Sequence, residues 1–142
     1  MRITAKRDAS DLANLPLFAG CPPKELRNLQ NLGTMVDVRA TQKLVSQGER
    51  GAEVLFVLSG AAICLRDGAE IARFGPGDFF GEVAVLDGGP RTATVVAETD
   101  MEVLVFDRGE FVLLLERSSE LGRRMVKVLA RRLRSATALA VA

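Results

Sequence analysis

Between Thr34 and Asp107 the apolar positions come in short runs rather than at helical spacing. Val36 and Val38 alternate with Asp37 and Arg39, the period of a half-buried strand. EVLFVLSG at 53–60 is β-rich and closes on a glycine. ICLRDGAEIARF at 63–74 sets Asp67-Gly68 between two apolar runs, which predicts a hairpin. TATVVAE at 92–98 and MEVLVFD at 101–107 add two strands, separated by Thr99 and Asp100. Seven or eight short strands of this kind predict a sandwich or a barrel-like roll.

Helical spacing holds on both sides of that middle. Pro23 followed by KELRNLQNL, with Leu26, Leu29 and Leu32, predicts a short helix that Gly33 stops. EFVLLLE at 110–116 turns helical again. The remainder, from Arg117, reads as one long helix with Ser118 or Ser119 as its N-cap. Leu121, Met125, Val126, Val128, Leu129, Leu133 and Ala136 make an apolar stripe wider than a simple seam, so one edge can cover the strands while another meets a partner. The expected organisation is a single domain over 1–142: a helical segment at 1–33, strands at 34–107 and helices at 108–142.

Composition narrows the chemistry. A chain of 142 residues that is 48% apolar fills one compact core, and 19 basic against 18 acidic residues leave it near neutral. The apolar runs are too short to cross a bilayer and the N-terminus lacks the apolar core of a secretory signal, so a cytoplasmic protein is expected. There is no histidine, and the only cysteines are Cys21, in a proline-rich loop, and Cys64, in an apolar stretch that predicts a buried thiol. A zinc site would need other ligands, and a serine or cysteine nucleophile would have no imidazole to activate it. This argues against an enzyme and against a catalytic cofactor, leaving only carboxylate or lysine chemistry open. Six arginines and a lysine between 117 and 134 form the one basic region. It reads first as a solvated helix face, with nucleic acid or a membrane surface as the other reading. No recognition helix follows, so sequence-specific DNA binding by this chain alone is not expected.

FGEVAVLDGGPRTATV at 80–95 holds a different kind of signal: one carboxylate, Glu82, and one arginine, Arg91, nine residues apart among glycines and small apolar side chains. The glycines at 75, 77 and 81 crowd the turn before it and permit close approach of main-chain N–H groups to a ligand. If EVAVL forms a short helical turn, its leading N–H groups make an anion nest. Arg91 would add a charged fork suited to phosphate, while Glu82, an acceptor, would want hydroxyl donors such as those of a ribose. Together they describe a site for a sugar phosphate.

The same stretch resembles the phosphate-binding cassette of the cyclic nucleotide-binding domain family, with its F-G-E-x-A-L-L…P-R-x-A-x-V pattern and Val85 as a mild departure. LPLFAG at 15–20, VLFVLSGAA and FGPGDFFGE are similar to the family's opening motif, central strand and approach to the cassette. The resemblance implies a mainly β fold, an eight-stranded, jelly-roll-like β-roll with N-terminal helices and a long C-terminal helix. It implies that Glu82 accepts from the ribose 2′-hydroxyl and that Arg91 pairs with the cyclic phosphate. Gly81, Val83, Ala84, Thr92 and Ala93 would surround the same ligand, and Cys64 and Ile71 would belong to the wall under the base. Resemblance to bacterial members favours cyclic AMP (cAMP), with cyclic GMP (cGMP) possible. No aromatic follows Phe111 to cap the base, which leaves Arg132, Leu133 and Thr137 as candidates. The expected mechanism is a population shift in which ligand draws the cassette inward and the last helix moves against the roll. LARRLR also resembles the dimer helix of catabolite-activator-type regulators, which implies a homodimer. Three alternatives stay open: a fragment of a larger transcription regulator, a regulatory module of a transporter or enzyme with an unknown effector, and a non-binding member acting through its basic helix.

Overall fold

A computed structural model of the chain describes residues 2–3 and 10–136. Eight strands lie between Thr34 and Phe106: β2 (Thr34–Val38), β3 (Lys43–Val45), β4 (Val54–Ser59), β5 (Ala62–Arg66), β6 (Ala69–Phe74), β7 (Phe79–Phe80), β8 (Thr94–Ala97) and β9 (Met101–Phe106). A two-residue strand, β1 (Arg2–Ile3), pairs with β2. All pairings are antiparallel, in one sheet ordered β1-β2-β9-β4-β7 and a second ordered β3-β8-β5-β6. Apart from the β5–β6 hairpin, successive strands from β2 to β9 change sheet, which folds the chain into the expected roll.

The helices flank it: α1 (Ser10–Ala13), a 3-10 turn at Pro16–Phe18, α2 (Pro23–Leu32), α3 (Glu82–Asp87), α4 (Arg108–Arg117) and the long α5 (Ser119–Ala136). Pro23 opens α2 where its missing N–H costs nothing. Gly33 follows α2 in extended backbone, where an added Cβ would stand 2.9 Å from a Phe106 ring carbon, so glycine serves close approach rather than a left-handed cap. Asp107 and Glu110 cap α4 reciprocally, and the Ser118 hydroxyl accepts from the Leu121 N–H at the start of α5.

The five-stranded sheet is a middle layer, and this explains the unbroken VLFVL run. Val54 and Phe56 of β4 face a core shared with Leu12, Phe18, Leu29, Phe111, Leu121 and Met125 of the helices. Leu55 and Val57 face a second core inside the roll with Cys64, Phe80, Val95 and Val103. A strand buried on both faces loses the polar alternation that a one-sided strand would show. Phe56 anchors the helical side, with its ring 5.5–6.0 Å from those of Phe18, Phe79 and Phe106. Among the described residues no helix is long and apolar enough to cross a membrane.

Candidate functional site

The short strand β7 pairs with β4 through Phe79 and Phe80, and the chain then turns at Gly81, which has φ 90°. A side chain there would be strained in the backbone and would overlap the Glu53 carbonyl oxygen at 2.6 Å. α3 starts at the next residue, so Glu82 is fixed at its first turn and its carboxylate is carried inward, 5% exposed. Its Oε1 accepts from Nη1 of Arg132 at 3.3 Å, while Oε2 is buried and accepts from no described residue. Burial pushes the Glu82 carboxyl above the usual carboxylate range, against the opposing pull of its own backbone N–H, Arg132 and Arg91.

Arg91 reaches the same place from the far end of the cassette. Its backbone is held by the loop before β4: the Arg91 N–H donates to the Glu49 carbonyl, and its carbonyl accepts from the Gly48 N–H, each at 2.9 Å. The guanidinium is 5% exposed, donating to the Gly81 carbonyl at 3.0 Å and to Glu53 Oε2 at 3.3 Å. Burial lowers the Arg91 pKa, and Glu53 and Glu82 oppose the change. The intrinsic basicity of a guanidinium is high enough that it remains charged. Gly51 makes room for it, since a Cβ at that position would stand 2.5 Å from Cζ and 2.6 Å from Nη2 of Arg91.

Arg91 thus bonds the carbonyl of Gly81, the residue before Glu82, so both charges reach the start of α3, whose first N–H groups have no partners within the helix. Ala84 is buried, Val83 is 41% exposed, and Thr92 is exposed beside buried Ala93. The Thr92 carbonyl accepts from Nε of Arg66 at 3.1 Å. Cys64 is buried in the roll as expected, and burial raises its thiol pKa, with Arg66, Arg132 and Glu82 as the charges that act on it. Ile71 lies on the edge strand β6, half exposed, at a bulge where Cys64 pairs with Ala72 and Leu65 with Glu70. Of the three lid candidates, Arg132 enters the site, Leu133 is 54% exposed and Thr137 lies outside the described residues. Sequence reasoning did not single out Glu53 or Gly51; both sit in a polar loop some forty residues before Arg91, with no local pattern to mark them.

A family model for the cyclic nucleotide-binding domain matches residues 35–118, which includes the cassette and most of the roll. The chain belongs to the cyclic nucleotide-binding domain family. It is 30% identical over 128 residues to a CRP-like cAMP-activated global transcriptional regulator of Mycobacterium tuberculosis, covering 87% of this chain and 57% of that protein. The structure of the Thermus thermophilus catabolite activator protein matches with a TM-score of 0.76 and 33% identity, over 85% of this chain and 59% of that one. A cAMP-binding acyltransferase from Mycobacterium smegmatis, solved as a mutant, matches with a TM-score of 0.77 and 31% identity, over 90% of this chain and 41% of the other. The cyclic nucleotide-binding domain described here therefore spans a little over half the length of the regulators it matches.

Proposed function

We propose that the chain is a cyclic nucleotide sensor, with cAMP as its ligand and no catalytic activity of its own. In this reading Arg91 and the N–H groups around Gly81, Val83, Ala84, Thr92 and Ala93 hold the cyclic phosphate, and Glu82 accepts from the ribose 2′-hydroxyl. Cys64 and Ile71 contribute to the wall under the base. The observation that carries it is that a buried carboxylate with one oxygen lacking a hydrogen bond, and a buried arginine that bonds the carbonyl of the preceding Gly81, meet at the head of one short helix. A buried acceptor left without a donor costs about 1–3 kcal/mol, and a hydroxyl donor from a ligand relieves that cost. The choice of cAMP rests on the relatives, whose names specify it.

Ligand binding changes the position of α5, and the exposed Val126 and Leu133 on its outer side suit a homodimer. The response reaches an effector that the relatives' greater length points to, in the same polypeptide or a partner. Calorimetric titration with cAMP and cGMP tests the reading. The parent binds cAMP more tightly than cGMP, and Arg91→Ala loses roughly 2–5 kcal/mol of binding, as expected when one partner of a buried charge contact is removed. An Arg91→Ala protein with parental affinity overturns the assignment.

A further inference from the structure

We propose that Arg66 is a positioning residue of the phosphate site: it holds the Thr92 carbonyl and so aims the Ala93 N–H at one exocyclic oxygen of the cyclic phosphate. The role rests on the nucleotide reading of the cassette. Arg66 acts in it through the backbone and not by contact with the ligand.

The two peptide units that follow Arg91 are each held by the carbonyl. The Arg91 carbonyl accepts from the Gly48 N–H at 2.9 Å, and the Thr92 carbonyl accepts from Nε of Arg66 at 3.1 Å. Both peptides are trans, so each carbonyl points opposite to the N–H that follows it. Gly48 thereby sets the direction of the Thr92 N–H, and Arg66 sets that of the Ala93 N–H. Both N–H groups are among those assigned to the phosphate. The strand ladder does not reach this far, because the last pair of β5 with β8 is Leu65 with Thr94. A side chain from β5 takes over where the main-chain pairing ends.

The strand places Arg66 for this task. Ala62, Cys64 and Arg66 alternate onto one face of β5, the first two buried and Arg66 exposed at the strand's end. Burial raises the Cys64 thiol pKa, and Arg66 is foremost among the charges opposing the rise, so its guanidinium is felt at the wall under the base. The next residue, Asp67, is fixed at the hairpin turn. Its N–H donates to Gln47 Oε1 at 2.9 Å, and its Oδ1 accepts from Gln47 Nε2 at 2.8 Å. The Gln47 N–H donates in turn to the Thr94 hydroxyl at 2.9 Å. One short loop, through Gln47 and Gly48, therefore ties the tip of the hairpin to both ends of residues 91–94. The root of a long, exposed side chain is thus preorganised for a single carbonyl, and the charge of the donor strengthens that bond over a neutral one.

The test is titration calorimetry and amide NMR of the parent, Arg66→Ala, Arg66→Lys and Arg91→Ala with cAMP and with its Sp and Rp phosphorothioates. Each phosphorothioate replaces one exocyclic phosphate oxygen by sulfur, a weaker acceptor, so an N–H aimed at one oxygen separates the affinities of the two diastereomers. Expected for Arg66→Ala is about tenfold weaker binding of cAMP, the low end of what a charge-assisted hydrogen bond contributes. The ratio of the diastereomer affinities changes, and the Ala93 amide shift on binding shrinks while those of Gly81, Val83 and Ala84 remain. Arg66→Lys, which keeps the charge and a donor, recovers part of each effect. Arg66→Ala binding within about twofold of the parent, with the Arg91 dependence intact, overturns the role of Arg66 alone. A uniform weakening that leaves the diastereomer ratio and the Ala93 shift unchanged also overturns it, since it marks only a general attraction between charges. Absence of binding by the parent overturns it together with the nucleotide reading.

Discussion

Gly51→Ala isolates the placement of Arg91 from its charge. Gly51 does not have positive φ, so alanine there brings no backbone strain. The added Cβ would stand 2.5 Å from Arg91 Cζ and 2.6 Å from Nη2, whereas ordinary contact begins at 3.4 Å. The guanidinium must therefore move by about an ångström, enough to break its 3.0 Å bond to the Gly81 carbonyl and its 3.3 Å contact with Glu53. Loss of a charge-assisted hydrogen bond costs about 1.5–3 kcal/mol. Alanine returns ~0.4–1 kcal/mol by restricting the unfolded chain. The fold should lose about 1–2 kcal/mol, readable as a lower denaturant midpoint with unchanged slope. Binding should suffer more, because a displaced charge no longer meets the phosphate. At least a tenfold loss of cAMP affinity, about 1.4 kcal/mol, is expected in calorimetric titration. A Gly51→Ala protein that is destabilised as predicted yet binds within twofold of the parent would show that the observed guanidinium position is irrelevant to the ligand.

Two further outcomes follow from the burial pattern. Because burial raises the Glu82 carboxyl, the folded chain keeps a proton there that the unfolded chain has already released. Glu82 therefore subtracts stability as pH rises from the usual carboxylate range through its raised value; Glu82→Gln should gain on the parent across that window in paired denaturation curves, and a relative loss would mean that Arg132 and Arg91 more than compensate the burial. Phe56, fully buried among three aromatic rings, should cost about 3–5 kcal/mol on truncation to alanine, and a loss below about 1 kcal/mol would contradict the shared core of helices and middle sheet.

Much of this architecture was legible because its signals are local. Asp67 and Gly68 both have positive φ, as a tight two-residue hairpin demands, and the dipeptide announces it. Glu82 and Arg91 stood out together because only one short helix and one turn separate them along the chain. The middle-layer role of β4 was not, since a continuous apolar run fits several kinds of burial until both faces are seen. Glu53 and Gly51 escaped notice because their importance arises only when the loop before β4 closes on Arg91. Arg132 was one of three lid candidates; fifty residues separate it from Glu82, and no periodicity reports a contact made by helix docking.

The central claim is that a cyclic nucleotide places its phosphate at the head of α3 beside Arg91. The most direct measurement is an amide NMR titration of isotopically labelled protein with cAMP, following Gly81, Val83, Ala84, Thr92 and Ala93. The account predicts saturable shifts at these amides that vanish in Arg91→Ala at the same concentrations. Saturable shifts confined to other regions, or none at all, would contradict it.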